Sequence, residues 1–151
     1  MKKINLSTHI NAPVEKVWNS IINDESYREW TSAFCPGSYF KGDWSKGSKM
    51  LFLGPNPETG EEGGMVSEIA ENIPHKYISI KHNGMINNGV EDTTSEEVKK
   101  WTPSFENYSF EEKDGGTLFT LDMDSTEEYH DMFMETWPKA LEKLKEVAER
   151  G

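Results

Sequence analysis

The sequence of 151 residues contains a single cysteine, Cys35. One cysteine cannot form an internal disulfide, and it cannot supply the several thiolates of a structural zinc site. The histidines, His9, His75, His82 and His130, are too far apart in sequence to match a metal-binding motif. We therefore expect a fold that depends on a hydrophobic core alone, with no metal and no cofactor.

Basic residues are scarce, because 16 Lys and Arg face 27 Asp and Glu, for a net charge of −11. Phosphate backbones and anionic membrane surfaces repel such a chain, so we expect neither nucleic acid nor membrane as a partner. No stretch reaches the roughly 18 apolar residues of a membrane-spanning helix, and the first residues lack the apolar run of a signal peptide. These absences predict a cytoplasmic protein, and the length fits one domain over residues 1–151.

Alternation of apolar and polar residues at positions 4–10 predicts a strand with one face in the core. Six later runs have strand-like composition and are separated by turns rich in glycine and proline, at residues 38–41, 49–53, 65–73, 76–82, 104–112 and 117–123. Asp114-Gly115 between the last two runs indicates a tight hairpin. Such short connections predict an antiparallel sheet.

Helical spacing of apolar residues predicts a helix over residues 14–22 and a second short one that begins at Asp24 and includes Trp30. The clearest helix spans residues 126–150, with Pro138 expected to bend it. Its apolar positions cover about half of a helical wheel; they are Tyr129, Met132, Phe133, Thr136, Trp137, Ala140, Leu141, Leu144, Val147 and Ala148. Residues 83–100 are polar and read as a long mobile loop with a one-turn helix near residues 95–100.

One long amphipathic helix must lie across the antiparallel sheet to cover its own apolar face. A curved sheet and one helix cannot touch everywhere, so this arrangement predicts a cavity unless large side chains fill it. Aromatic residues make up 11% of the chain, and several are expected to point inward: Tyr108, Phe110, Phe119, Phe133 and Trp137. They either line a ligand site or simply fill the core.

Few residues suggest a specific chemistry. Residues 42–49 imitate the spacing of a phosphate-binding loop, but the final Ser48-Lys49 pair is reversed and a strand follows, which argues against a nucleotide site. Cys35 has no base nearby in sequence and reads as incidental. His82 shares a strand face with Ile78 and Ile80, so it is either a polar contact for a ligand in the cavity or a structural histidine of the core or rim.

The order of these elements, together with several short segments, resembles the START-like (SRPBCC) superfamily, and within it the homologues of the heat-shock ATPase activator. The segment at residues 10–18, with Ala12-Pro13 and Val17-Trp18, is similar to the opening strand and helix of that group. Residues 78–82, 106–110, 114–117 and 137–141 add to the resemblance, which covers nearly the whole chain.

This resemblance implies an α+β helix-grip fold: a curved antiparallel sheet of seven strands around a long C-terminal helix, with two short helices after the first strand. Members bind lipids, hormones, polyketides or other apolar molecules, and some are enzymes. The resemblance therefore implies a pocket between sheet and helix, but it carries over no catalytic motif.

Three functions remain open. The first is non-catalytic binding of a small apolar or amphipathic molecule, by a monomer or weak homodimer. The second is a cyclase or hydrolase that uses the same cavity, with His82, Tyr108 and Glu68 as candidate acids or bases. The third is a chaperone-linked interaction module. The residues that we expect to contact a ligand lie on the inward faces: Trp30, Phe52, Met65, Ile80, His82, Tyr108, Phe110, Phe119, Leu121, Phe133 and Trp137.

Overall fold

A computed structural model describes residues 1–56 and 58–150 of the chain. Strands and helices follow one another as β1 (Lys2–Ile10), α1 (Val14–Ile22), α2 (Asp24–Trp30), a 3-10 turn (Thr31–Ala33), β2 (Tyr39–Lys41), β3 (Lys49–Pro55), β4 (Glu62–Ile73), β5 (Tyr77–Asn87), β6 (Val90–Asp92), α3 (Glu96–Lys99), β7 (Ser104–Lys113), β8 (Gly116–Ser125) and α4 (Glu127–Glu149). This is the predicted order of elements, with one additional short strand.

The strands form one curved antiparallel sheet in the order β1-β8-β7-β5-β4-β3-β2. The short β6 pairs with the end of β5, beyond the point where β7 pairs with it. β7 and β8 are joined through Asp114 and Gly115, which have φ of 49° and 79°. Positive φ at both central residues is typical of a type I′ turn, whose twist matches that of the strands. The predicted helix-grip fold and its hairpin are confirmed.

The main core lies between one face of the sheet and helices α1, α2 and α4. The C-terminal half of α4 buries Trp137, Ala140, Leu141, Leu144 and Ala148, a spacing of three and four residues that presents one face of a helix. Against them lie the alternating inward residues of the sheet, which include Ile78, Ile80, Tyr108, Phe119 and Leu121. The sheet therefore grips α4 through the second half of its length.

The first half of α4 is different, because none of its residues before Trp137 is buried. Tyr129 and Met132, which the helical wheel places on the apolar face, are 50% and 44% exposed, and Phe133 is half-buried. A wheel predicts the direction of a side chain but not how far along the helix its partner extends. The helix continues through Pro138, and a bend there stays a prediction.

The prediction of a long loop over residues 83–100 is wrong for its first part. β5 extends to Asn87 and forms a hairpin with β6, while the expected one-turn helix is present as α3, capped by the Ser95 side chain. Asn83 is the extra residue of a β-bulge, because Ser67 pairs with His82 and the preceding Val66 pairs with Gly84, which leaves Asn83 unpaired with β4. The extra residue reverses the alternation of β5 and hid its continuation in the sequence pattern.

The bulge gives the sheet a small second cluster on its other face. Leu53, Val66 and Ile86 are buried there, with Tyr39 and Leu51 against them. Alternation along β3 requires this separation, because Met50 and Phe52 face the helices while Leu51 and Leu53 face away. Both faces of this end of the sheet are therefore apolar, which explains why the faces of β3 and β4 could not be read from sequence.

The close approach of β5 and Asp92 gives a test of the bulge geometry. A Cβ added at Gly84 would lie 2.2 Å from the Asp92 carbonyl oxygen, whereas one at Gly63 would meet its nearest atom at 3.4 Å. We expect Gly84→Ala to lower the free energy of unfolding by about 2 kcal/mol or more, and Gly63→Ala by less than about 1 kcal/mol. Urea denaturation measures both, and equal losses would contradict the observed approach.

Candidate functional site

Aromatic rings fill the space where α2 meets the sheet. The ring of Tyr27 lies 5.6 Å from Trp30, 5.0 Å from Phe40, 6.3 Å from Trp44 and 6.2 Å from Phe52, measured between centroids. Most of these pairs are edge-to-face, the arrangement that the ring quadrupoles favour. The three-residue spacing of Tyr27 and Trp30 places both rings on the buried side of α2, where Tyr27 meets β2 and β3 and Trp30 meets Trp137.

Trp137 of α4 continues this aromatic cluster toward the centre of the sheet. Its ring lies 6.0 Å from Trp30, 4.9 Å from Phe34 and 6.2 Å from Tyr108. Phe34 also contacts Phe133, at 6.5 Å. One aromatic wall therefore runs from β2 and β3, across α2, to α4 and β7.

A buried network of polar side chains lies in this aromatic interface. Ser67 Oγ is 2.6 Å from His82 Nδ1, and His82 Nε2 is 3.1 Å from Glu106 Oε1. The Tyr108 hydroxyl donates to Glu106 Oε2. The residues come from three neighbouring strands, β4, β5 and β7, and the ring of Phe52 lies 6.2 Å from the His82 ring.

Counting hydrogens indicates which tautomer of His82 this network favours. Glu106 accepts from both Tyr108 and His82, so the proton lies on Nε2. Nδ1 of a neutral ring then accepts the Ser67 hydroxyl proton, and every donor is used. This arrangement gives each of the three hydrogen bonds of the network one donor and one acceptor.

The pKa values of the two buried tyrosines, Tyr27 and Tyr108, are raised by burial and by the charge of Glu106. Burial raises the pKa of Tyr108 well above its ordinary value of 10.0, and the charge of Glu106 raises it further. Burial likewise raises the pKa of Tyr27, again with a contribution from Glu106. Both phenols are therefore neutral over the whole physiological range, and both experience the negative charge of Glu106.

The structure brings most of the predicted contact residues to the helix-facing side of the sheet. Those buried there are Trp30, Ile80, His82, Tyr108, Phe110, Phe119, Leu121 and Trp137, and those half-buried are Phe52, Met65 and Phe133. Phe110 lies apart from the polar network, since its ring packs on Trp18 and Phe119 at 5.2 and 5.3 Å. Whether any of these residues contacts a ligand stays a prediction.

Glu68 is not the inward acid that the sequence suggested. Its side chain is 41% exposed, 3.7 Å from the Lys81 ammonium and 3.3 Å from Asn83 Nδ2. The acid of the site is Glu106, which sequence reasoning missed although it alternates with Tyr108 and Phe110 along β7. That alternation was the available signal. Ser67 carried no comparable signal, because its orientation depends on pairing with His82.

Three indole N–H groups in the same interface have no hydrogen-bond partner among residues 1–56 and 58–150. They belong to Trp30, Trp44 and Trp137, whose side chains are almost completely buried. A buried donor without an acceptor costs about 1–3 kcal/mol, so such groups are uncommon in native proteins. Their concentration in one aromatic wall marks it as the unusual part of the core.

Two clefts lie elsewhere on the surface. One of about 400 Å³ lies between the start of α1, at Pro13 and Val14, and the β7–β8 hairpin at residues 112–116. The other, of about 190 Å³, lies along α1 beside Lys16 and Asn19. Between the sheet and α4, aromatic side chains occupy much of the space, and the cavity predicted there stays a prediction.

The remaining motifs lie outside the aromatic interface. Residues 42–48 connect β2 to β3, and no helix follows them, so they lack the helix N-terminus of a phosphate-binding loop. Cys35 Sγ lies 3.2 Å from the Pro55 carbonyl oxygen. Within residues 1–56 and 58–150, no group of three potential metal-ligating side chains occurs. No helix in that part of the chain is long and apolar enough to cross a membrane.

A sheet that grips a C-terminal helix, with two short helices after the first strand, defines a protein of the helix-grip class. Residues 11–149 match the family described as "Activator of Hsp90 ATPase homolog 1-like protein". Because the match covers nearly the whole chain, the chain belongs to that family. The fold and family are those of a ligand-binding or interaction module.

Solved structures with the same fold are numerous, at low sequence identity. Protein NE0264 from Nitrosomonas europaea is 17% identical with a TM-score of 0.73, over 96% of this chain and 92% of its own. The Aha1 dimer from Colwellia psychrerythraea is 18% identical with a TM-score of 0.70, over 100% and 98%. Such identities show the fold alone. No curated protein matches the chain.

The Ser67–His82 hydrogen bond gives a direct test of the polar network. Ser67→Ala leaves buried His82 Nδ1 without its donor, so we expect a loss of about 1–3 kcal/mol in the free energy of unfolding. Ser20→Ala is the matched control, because that buried hydroxyl only bonds the Lys16 carbonyl of its own helix, and we expect a change within about 0.5 kcal/mol. Urea titration of both variants decides; a neutral Ser67→Ala would contradict the network.

The raised pKa of Tyr27 predicts a loss of stability in alkali. In the unfolded chain Tyr27 ionises near pH 10, but in the folded protein its pKa is higher, so the stability it contributes below pH 10 is lost as the pH rises further. Tyr27→Phe should make this loss shallower by up to about 1.4 kcal/mol per pH unit. Urea unfolding between pH 8 and pH 11 measures it, and an unchanged slope would refute the assignment.

Proposed function

We propose that the chain binds a small amphipathic molecule between the sheet and α4, without catalysing a reaction on it. The observation that carries this proposal is the set of unpartnered indole N–H groups on Trp30, Trp44 and Trp137. A ligand with an apolar body and hydrogen-bond acceptors would pack against the rings and satisfy these donors. Ligand sites typically combine such apolar walls with a few polar groups.

The half-buried residues around the polar network suggest where a ligand would enter. Phe34, Phe52, Met65 and Phe133 are all partly exposed and lie between solvent and the buried rings. Phe133 belongs to the part of α4 that buries no residue, so its displacement would cost little apolar burial. Movement of this helix segment would open the interface without unfolding the core.

The Ser67–His82–Glu106 arrangement favours one alternative, an enzyme that uses the same interface for acid–base chemistry. A serine, a histidine and a carboxylate in hydrogen-bonded sequence are the groups of a nucleophilic triad. However, Ser67 is only 1% exposed and lies at the end of the network remote from Glu106. A substrate would meet Glu106 before Ser67, so binding accounts better for this geometry than attack by serine.

Self-association is a further part of this proposal. The relative from Colwellia psychrerythraea is described as a dimer, and we propose that this chain is a monomer or weak homodimer. The exposed apolar residues of α4, Tyr129 and Met132, are available for such a contact. A chaperone-linked interaction role has no specific feature of this chain in its favour beyond family membership.

Blocking the entrance tests the binding proposal. N-phenyl-1-naphthylamine, a neutral probe that fluoresces in apolar surroundings, should bind the native protein, and Met65→Trp should weaken that binding at least about fivefold because the larger ring fills the space beside Phe52. Val90→Trp, at a 66% exposed position on β6, is the control and should bind normally.

Native mass spectrometry of protein purified from its own host provides a second readout, in which we expect a co-purifying small molecule. Absence of probe fluorescence together with absence of any bound mass would contradict the proposal. Equal loss of binding in both tryptophan variants would place the probe outside the predicted entrance.

A further inference from the structure

We infer that the polar end of this site recognises an organic cation, an amine or quaternary ammonium group held against Glu106. The inference rests on the proposed function and specifies the class of its ligand. The reason is a mostly buried carboxylate in an aromatic interface, which pairs with no Lys or Arg among residues 1–56 and 58–150.

Glu106 differs from other acidic residues of the sheet in its partners. Glu68 pairs with Lys81, Glu71 with Lys46, and Asp124 with Lys3. Among residues 1–56 and 58–150, no Lys or Arg forms an ion pair with Glu106, whose only such partner is His82. No permanently charged basic side chain in that part of the chain therefore pairs with the Glu106 carboxylate.

A carboxylate without a Lys or Arg partner is costly where Glu106 lies, since its side chain is only 17% exposed. Removing a carboxylate from water costs several kcal/mol unless hydrogen bonds or an opposite charge repay it. Tyr108 and His82 each donate one hydrogen bond to a different oxygen of Glu106. Each carboxylate oxygen can accept a second one, so a ligand ammonium group has both a charge and free acceptors to bind.

The aromatic rings around this charge strengthen the preference for a cation. Tyr108 contacts Glu106 directly, Trp137 lies 6.2 Å from Tyr108, and Phe52 lies 6.2 Å from His82. The faces of such rings carry negative potential and attract ammonium groups, by about 0.5–2 kcal/mol each according to exposure. Quaternary ammonium groups, which cannot donate hydrogen bonds, are held in proteins largely by this interaction.

The same features disfavour anions. A carboxylate or phosphate would meet Glu106 with no Lys or Arg of residues 1–56 and 58–150 paired there to offset the repulsion, in a chain whose net charge is −11. The long-range field of that charge instead raises the local concentration of cations. Fatty acids and phosphorylated molecules are therefore the ligands that this site rejects.

Three probes of nearly equal shape test the inference: choline, the neutral 3,3-dimethylbutan-1-ol, and the anion 3,3-dimethylbutanoate. Binding is followed on the native protein by NMR, through the indole N–H signals of Trp30, Trp44 and Trp137. Half-buried Trp101, beyond α3, serves as the internal control. We expect choline to bind at least about tenfold more tightly than the neutral isostere, and the anion not to bind.

Two variants test whether Glu106 is the origin of the preference for choline. Glu106→Gln keeps the shape of the side chain and should bring choline and the neutral isostere to equal affinity, whereas Glu111→Gln, at an exposed position of the same strand, should keep the tenfold difference. If the neutral isostere binds native protein as tightly as choline, the inference is overturned and the proposed function stands. If none of the probes, including N-phenyl-1-naphthylamine, shifts these signals, the proposed function fails too.

Discussion

The packing of Trp137 against the sheet is the interaction on which the rest of the structure depends. This residue is the first buried one of α4, and its ring meets Trp30 of α2, Phe34 after the 3-10 turn and Tyr108 of β7. From that point α4 is held by the sheet through successive small and aliphatic residues. Before that point α4 contacts the rest of the protein only through half-buried residues such as Phe133. Trp137 therefore separates a loosely packed first half of the helix from a tightly packed second half.

The polar network of Ser67, His82 and Glu106 is connected to this contact through Tyr108. Tyr108 packs on Trp137 through its ring and donates its hydroxyl to Glu106, so it joins the apolar and the polar parts of the interface. Burial that stabilises α4 also removes Glu106 from water and leaves indole donors without acceptors. A core of aliphatic residues would hold the helix equally well without these costs. Retaining polar groups here makes the interface more suitable for recognition than for stability alone.

Much of the fold followed from periodicity, and much of the site did not. The alternation of β1, the Asp114-Gly115 hairpin and the spacing of α4 are local signals, and each gave the observed element. The inward placement of His82 followed in the same way from Ile78 and Ile80. Ser67 and Glu106 join the site only through pairing across three strands, and Glu68 was misassigned because the two faces of β4 are both partly apolar. Such information lies in the register of strands distant in sequence, which no local pattern contains.

The bulge at Asn83 has a consequence for comparing this chain with its relatives. On one side of it β5 presents Ile80 and His82 to the helices; on the other side Gly84 and Ile86, of the same parity, belong to the opposite face. A relative without the extra residue keeps the same architecture but exchanges the two sets of positions. Alignments through this segment therefore have to allow a one-residue gap, because an ungapped one equates a side chain that faces the helices with one on the opposite face of the sheet.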